Sequence, residues 1–162
     1  MEIKNGYLYH IKDEFFDKIK DKGLMINREN GHTRPTYFTI RDKDILWFIP
    51  LSSKAEKYKT IIKHKIRKYG NCRTILIKKI KQKEIAILLQ NAFPTIEKYV
   101  SHPHIIHGEH LRVSEAAIKE ILDNFNYMLA MKKQGIDLFF TDIDKIKNIM
   151  EDELKEKDAI PA

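Results

Sequence analysis

Two pairs of apolar stretches, each joined by three polar residues, constrain this chain more than any other feature. In the first, Pro35 opens an apolar/polar alternation through Tyr37 to Arg41, and Asp42, Lys43 and Asp44 turn the chain into Ile45 to Pro50. In the second, Thr74 to Ile80 and Glu84 to Leu89 flank Lys81, Gln82 and Lys83. Short runs of this kind separated by a tight polar turn read as antiparallel hairpins. The apolar run Ile85 to Leu89 suits a strand covered on both faces. A further strand is expected over Tyr7 to Ile11.

Helical spacing appears between and after the strands. Asp13 to Lys20 carries Phe15, Phe16 and Ile19, with its end marked by Gly23. Ala55 to Tyr69 carries Tyr58, Ile61, Ile62, Ile66 and Tyr69 on its buried side, closed by Gly70 and Asn71. Ser114 caps a helix along Ile118, Ile121, Leu122, Phe125 and Leu129 that ends near Gly135. Thr141 or Asp142 opens a last one along Ile143, Ile146, Ile149 and Met150. Leu138 to Phe140 is a brief strand candidate. Asn27 to Thr33 reads as a loop, Phe93-Pro94 as a corner, and the histidine-rich stretch before Ser114 as irregular. These elements make an α+β fold: one domain, a twisted and mostly antiparallel sheet with surrounding helices.

At 162 residues, 43% hydrophobic and 33% charged, the chain can bury a core without disulfides or a structural metal. Its lone Cys72 argues against a secreted disulfide scaffold and for the cytoplasm. No apolar run reaches the length of a membrane span, so no membrane partner is expected. The net charge of +7 favours a polyanionic partner. Between Lys54 and Lys83 stand 12 basic residues against one acid, Glu56, whereas Asp142 to Asp158 holds seven acids against four lysines. Charge alone leaves a nucleic-acid surface and a solvated lysine-rich face equally open.

The segment His32-Thr33-Arg34-Pro35-Thr36-Tyr37, followed after the hairpin by Ile49-Pro50-Leu51-Ser52-Ser53-Lys54, resembles the ToxN/AbiQ toxins of type III toxin-antitoxin systems, and the CptN branch in particular. The likeness extends over most of the chain, including Tyr7 to Ile11 and Phe139-Phe140-Thr141-Asp142. It implies a metal-independent endoribonuclease, without cofactor, whose 2′-hydroxyl attack leaves a 2′,3′-cyclic phosphate and a 5′-hydroxyl. It also implies a pseudoknotted antitoxin RNA, processed from tandem repeats, that inhibits the toxin in a closed toxin-RNA complex, with cellular or phage RNA as substrate. The family's catalytic basic residue maps onto Arg34 and its Thr/Ser-Ser pair onto Ser52 and Ser53. An aromatic hydroxyl used by some relatives falls at Phe15, and Arg stands where others have Lys.

The residue types suit that chemistry. In-line attack gathers negative charge on the non-bridging oxygens, which a fixed guanidinium and hydroxyl donors would hold. Arg34 does not give up its proton, so it is no base. His32 is a candidate proton carrier, His10 a second, and Lys54 a candidate for neutralising the phosphate or donating to the leaving oxygen. Thr33, Lys57, Lys63 and Arg67 are candidate RNA contacts, and Tyr37 and Tyr58 candidate stacking platforms. Each also has an ordinary structural role: Ser52 and Ser53 as helix N-caps, Arg34 and His32 as surface residues, the tyrosines as core. His102, His104, His107 and His110 lack the spacing of a metalloprotease and read as an RNA-facing or plain surface loop rather than a zinc site. Two other classes stay open: an RNase toxin held by a protein antitoxin, and a non-catalytic RNA-binding module.

Overall fold

A computed structural model describes residues 1–29 and 31–159. The elements run β1 (Leu8–Ile11), α1 (Asp13–Lys18), β2 (Arg28–Glu29), β3 (His32–Thr33), β4 (Pro35–Asp42), β5 (Ile45–Ser52), α2 (Ala55–Tyr69), β6 (Ile75–Ile80), β7 (Lys83–Leu88), β8 (Phe93–Thr95), β9 (Val100–Pro103), β10 (Ile105–Ile106), β11 (Glu109–His110), α3 (Glu115–Lys133) and α4 (Ile143–Ala159). One seven-stranded sheet has the order β6-β7-β5-β4-β1-β9, with β8 pairing β5 off this path. Every pairing in it is antiparallel.

Both expected hairpins form. The β4/β5 ladder runs from Thr36↔Pro50 to Asp42↔Ile45 with an irregularity between Phe38 and Ile40. In the β6/β7 hairpin the turn tightens to Lys81 and Gln82, both at positive φ, as a right-twisted two-residue connection demands. All eight residues of β5 are buried. One end of β5 pairs β8 through Leu46, Trp47 and Phe48, and the other pairs β7 through Leu51 and Ser52. Helix α3 lays Ala117, Ile121, Phe125 and Met128 inward, with the Phe125 ring 5.5 Å from Trp47. Its start is capped by Ser114, whose hydroxyl accepts the Ala117 N–H at 3.2 Å. Asp142 does the same for α4, accepting the Lys145 N–H.

Several expectations change. Phe93-Pro94 is not a corner but part of β8, because the Phe93 ring enters the core beside Phe15 and Phe48. The histidine-rich stretch is ordered: β9 pairs β1, and β10 pairs β11. The loop expected over 27–33 contains a small hairpin, β2 with β3, and its Asn30 lies outside the described residues. Leu138 to Phe140 pairs with no strand among the described residues; it is a docked irregular segment, with the Phe140 N–H donating to the Gln90 carbonyl. Ile66 and Tyr69 on α2 are exposed rather than buried, since the helix packs over β6 and β7 and its last turns overrun them.

Gly23 does not mark the end of α1, which stops at Lys18 with Ile19 as its C-cap. It marks a backbone crossing instead. A Cβ there would stand 2.1 Å from the Phe140 carbonyl oxygen and 2.5 Å from the Thr141 nitrogen. The crossing is knotted by hydrogen bonds: Asn91 Nδ2 donates to the Gly23 carbonyl, the Asp142 N–H to Asp21 Oδ2, and Thr141 Oγ1 to the Ala92 carbonyl. Gly23→Ala must push two backbones apart, so it is expected to lower unfolding stability by about 2 kcal/mol or more. Gly31→Ala, with nothing near its Cβ, carries only the strain of its positive φ. Urea unfolding of the two variants makes the comparison.

Candidate active site

A cleft of about 1250 Å³ lies where β1, β3, β9 and the end of β5 converge. The loop before β4 and the end of β5 bring Arg34 to one wall with Ser52 and Ser53. Arg34 is anchored by its own side chain: Nε donates to the Ile26 carbonyl at 3.1 Å and Nη1 to the Leu51 carbonyl at 2.8 Å. Its backbone N–H donates to the Asn27 carbonyl. Asn27 in turn donates to the Ile11 carbonyl and to Asp13, and Arg28 pairs with Asp13 at 2.7 Å, holding that carboxyl below its ordinary range. The guanidinium is thus fixed before any anion arrives, which is the condition for strong oxyanion stabilisation.

Ser52 is buried, and its Oγ accepts the Lys54 N–H at 3.2 Å. Ser53 is exposed, lines the cleft and makes no side-chain hydrogen bond among the described residues. The N-cap of α2 is Lys54, without a capping side chain, so the capping role expected for Ser53 is not the one it has.

The opposite wall is built from histidines. His10 and His102 are cross-strand partners in the β1/β9 ladder, and their rings stack with centroids 4.5 Å apart. His10 Nε2 lies 2.8 Å from His104 Nδ1, and His10 Nδ1 lies 2.6 Å from Thr33 Oγ1. Burial, then the neighbouring His104 and His102, pushes the His10 pKa down to about 4. Burial and its histidine neighbours lower His104 as well. Both rings are therefore neutral at pH 7. Among the described residues no group of three or more His, Cys, Asp or Glu is placed to hold a metal ion.

The structure brings together His10, His32, Thr33, Arg34, Ser52 and Ser53, all lining the cleft. It does not bring Lys54, Lys57, Lys63 or Arg67 to that lining; besides Arg34, the cleft's cations are Lys12, Arg28, Lys81, Lys83 and Lys98. Tyr37 and Tyr58 are no stacking platforms. Tyr37 is fully buried, its hydroxyl pushed to a high pKa by that burial, and Tyr58 packs against Ile75, Ala86 and Leu88. Phe15, where some relatives carry a hydroxyl, is core. His107 stands at an exposed turn, and His110 packs against Tyr7 and Tyr9 while donating to the Leu8 carbonyl. Sequence reasoning offered His102 and His104 as part of an RNA-facing or plain surface loop and did not join them to His10. The signal was their spacing: two residues apart on an extended segment, they share a face.

No protein-family model matches the sequence, and no curated protein does. Among solved structures the chain is similar to AbiQ, described as a lactococcal anti-phage endoribonuclease belonging to the type-III toxin-antitoxin system. The TM-score is 0.74 at 12% identity, over 94% of this chain and 99% of AbiQ. The likeness shows that the chain has the fold of AbiQ.

His10 makes a testable contribution to stability. Its folded pKa lies below that of the unfolded chain, so the unfolded state binds the proton more readily and stability falls as pH drops from about 6.5 to about 4. Replacing His10 with Gln is expected to flatten that part of the curve. Thermal melting of both proteins between pH 4 and 7 checks it, and parallel curves would show that His10 is not held neutral.

Proposed function

We propose that this protein is a metal-independent endoribonuclease toxin of a type III toxin-antitoxin system, acting in the cytoplasm and restrained by a small repeat-derived RNA. The observation that carries this reading is the anchored Arg34 guanidinium sharing one cleft with the uncommitted hydroxyl of Ser53 and with His10 and His104, whose pKa values burial lowers. In the proposed reaction the 2′-hydroxyl attacks the adjacent phosphorus, and the products are a 2′,3′-cyclic phosphate and a 5′-hydroxyl. Arg34 and the Ser53 hydroxyl take up the charge growing on the non-bridging oxygens, Ser52 orients the start of α2, and the cleft histidines, His32 included, handle protons. Lys81, Lys83 and Arg28 guide the phosphodiester backbone into the cleft. Lys54, Lys57, Lys63 and Arg67 lie outside it and serve the longer antitoxin RNA in the closed complex. The fold shared with AbiQ supports the same reading, including phage defence as its setting. No helix of the described residues is long and apolar enough to cross a membrane.

Cleavage is expected to persist in EDTA and to leave cyclic phosphates, read by mass spectrometry of a short RNA. Cutting that needs added zinc or magnesium, or that leaves 3′-hydroxyl ends, would overturn the mechanism, and binding without cutting would leave an RNA-binding module. Because Ser53 caps nothing, Ser53→Ala should change stability by no more than about 0.5 kcal/mol. The same variant should lose roughly 10²-fold or more in cleavage with RNA affinity kept. Arg34→Ala should lose both cleavage and affinity, since the guanidinium meets the phosphate already in the ground state. Lys81→Gln with Lys83→Gln should weaken the salt dependence of binding more than Lys63→Gln with Arg67→Gln does.

A further inference from the structure

Along the histidine wall of the cleft, three side chains from three separate segments form a single file: Thr33 Oγ1 is 2.6 Å from His10 Nδ1, and His10 Nε2 is 2.8 Å from His104 Nδ1. Both nitrogens of His10 are used, while His104 has Nε2 left, with no hydrogen bond among the described residues. We propose that His104 is the general base that takes the 2′-hydroxyl proton, and that His10 and Thr33 are positioning residues that fix its tautomer. The proposal rests on the ribonuclease reading above.

A neutral imidazole has one donor nitrogen and one acceptor, so the file has only two internally consistent states. In one, Thr33 donates inward and His104 ends in an N–H. In the other, His10 Nδ1–H donates to Thr33, His104 Nδ1–H donates to His10 Nε2, and His104 ends in a lone pair. The second state is the reactive one. It gives a base oriented by an acceptor behind it, the arrangement that holds a catalytic imidazole in position and stabilises it once protonated.

Neutrality of the resting file follows from its surroundings. His10 is faced by His102 and His104 from the β9 side and by His32 and Thr33 from β3, and His104 by His102 and His110. The cleft adds mainly cations, Arg34, Lys81 and Lys83 among them, while Asp13 is tied to Arg28. All of this discourages a resting proton on the file and leaves the base ready at neutral pH.

In the proposed step the 2′-oxygen gives its proton to His104 Nε2 as it bonds to phosphorus, and the bond from phosphorus to the 5′-oxygen breaks. The departing 5′-oxygen takes a proton from solvent in the open cleft. The charge on the histidine pair is shared through the Nδ1–H to Nε2 hydrogen bond until His104 returns its proton to solvent.

The test is single-turnover cleavage of a short RNA by the full chain, from pH 4 to 9. The wild-type profile of kcat/KM should rise with an acidic limb centred below 6.5, and a limb at or above that value, or none, would overturn the proposal. His104→Gln is expected to lose about 10²- to 10⁴-fold and the limb with it, while RNA affinity and melting are unchanged. That loss should be as large on an RNA with sulfur in place of the bridging 5′-oxygen, whose leaving group needs no proton. Recovery on this substrate would make His104 an acid and sink the base assignment. His10→Gln and Thr33→Val should lower the rate and move the limb without weakening RNA binding; unchanged profiles would remove the relay. If the wild-type protein cuts no RNA, the ribonuclease reading falls and this proposal with it. If it cuts and His104→Gln cuts equally well, only this proposal falls.

Discussion

Strand β5 cannot stand apart from its neighbours. Its eight residues are all buried, so every backbone N–H and C=O along it needs a partner inside the protein. It finds them in β4 along one edge and in β8 and then β7 along the other. That division of one edge between two strands places the chain after Pro50 at the sheet's working end. Leu51 then offers its carbonyl to Arg34, and Ser52 and Ser53 pass directly into α2. The scaffold and the cleft therefore share one strand.

The two cleft walls differ in how they are made rigid. Arg34 is held by hydrogen bonds to backbone carbonyls, reinforced by Asn27 and by the Arg28 to Asp13 ion pair. An exposed ion pair contributes little alone. Here it adds to a set of backbone hydrogen bonds that already fix the loop. The histidine wall is held by ladder geometry, with His10 opposite His102 and His104 tied through its backbone to Leu8 and Leu111. One wall thus carries permanent charge and the other carries His10 and His104, whose pKa values burial lowers, a division suited to the proposed phosphodiester chemistry because charge stabilisation and proton transfer do not compete for the same side chain.

The hairpins, α2, α3 and α4 were legible in the sequence because each is marked locally, by alternation, helical spacing or a capping residue. Arg34, Ser52 and Ser53 were legible through a motif split by one hairpin, whose geometry returns its two ends to one place. The rest depended on encounters far apart along the chain. Strands β8 and β9 are short and contain Pro94 and Pro103, so their pairing comes from the core they meet rather than from propensity. His10 lies 94 residues from His104, and no local rule joins them. The basic stretch from Lys54 to Lys83 is divided by the fold, because only the β6/β7 turn reaches the cleft while the α2 lysines ride on another element. Burial of Tyr37 and Tyr58 was equally a matter of tertiary packing.

The crossing of Gly23 under residues 140–141 bears on the order in which the molecule can be completed during synthesis. The segment from Asp21 to Asn27 leads straight into the loop that carries Arg34, and its inner side is pinned by Phe140, Thr141 and Asp142. Asp21 and Asp142 are 121 residues apart. A growing chain can close β1, β4 and β5 long before that pin exists, but the Arg34 loop acquires its full support only when the stretch leading into α4 has left the ribosome. The Arg34 side of the cleft is thus completed after the residues of its histidine wall have already been made.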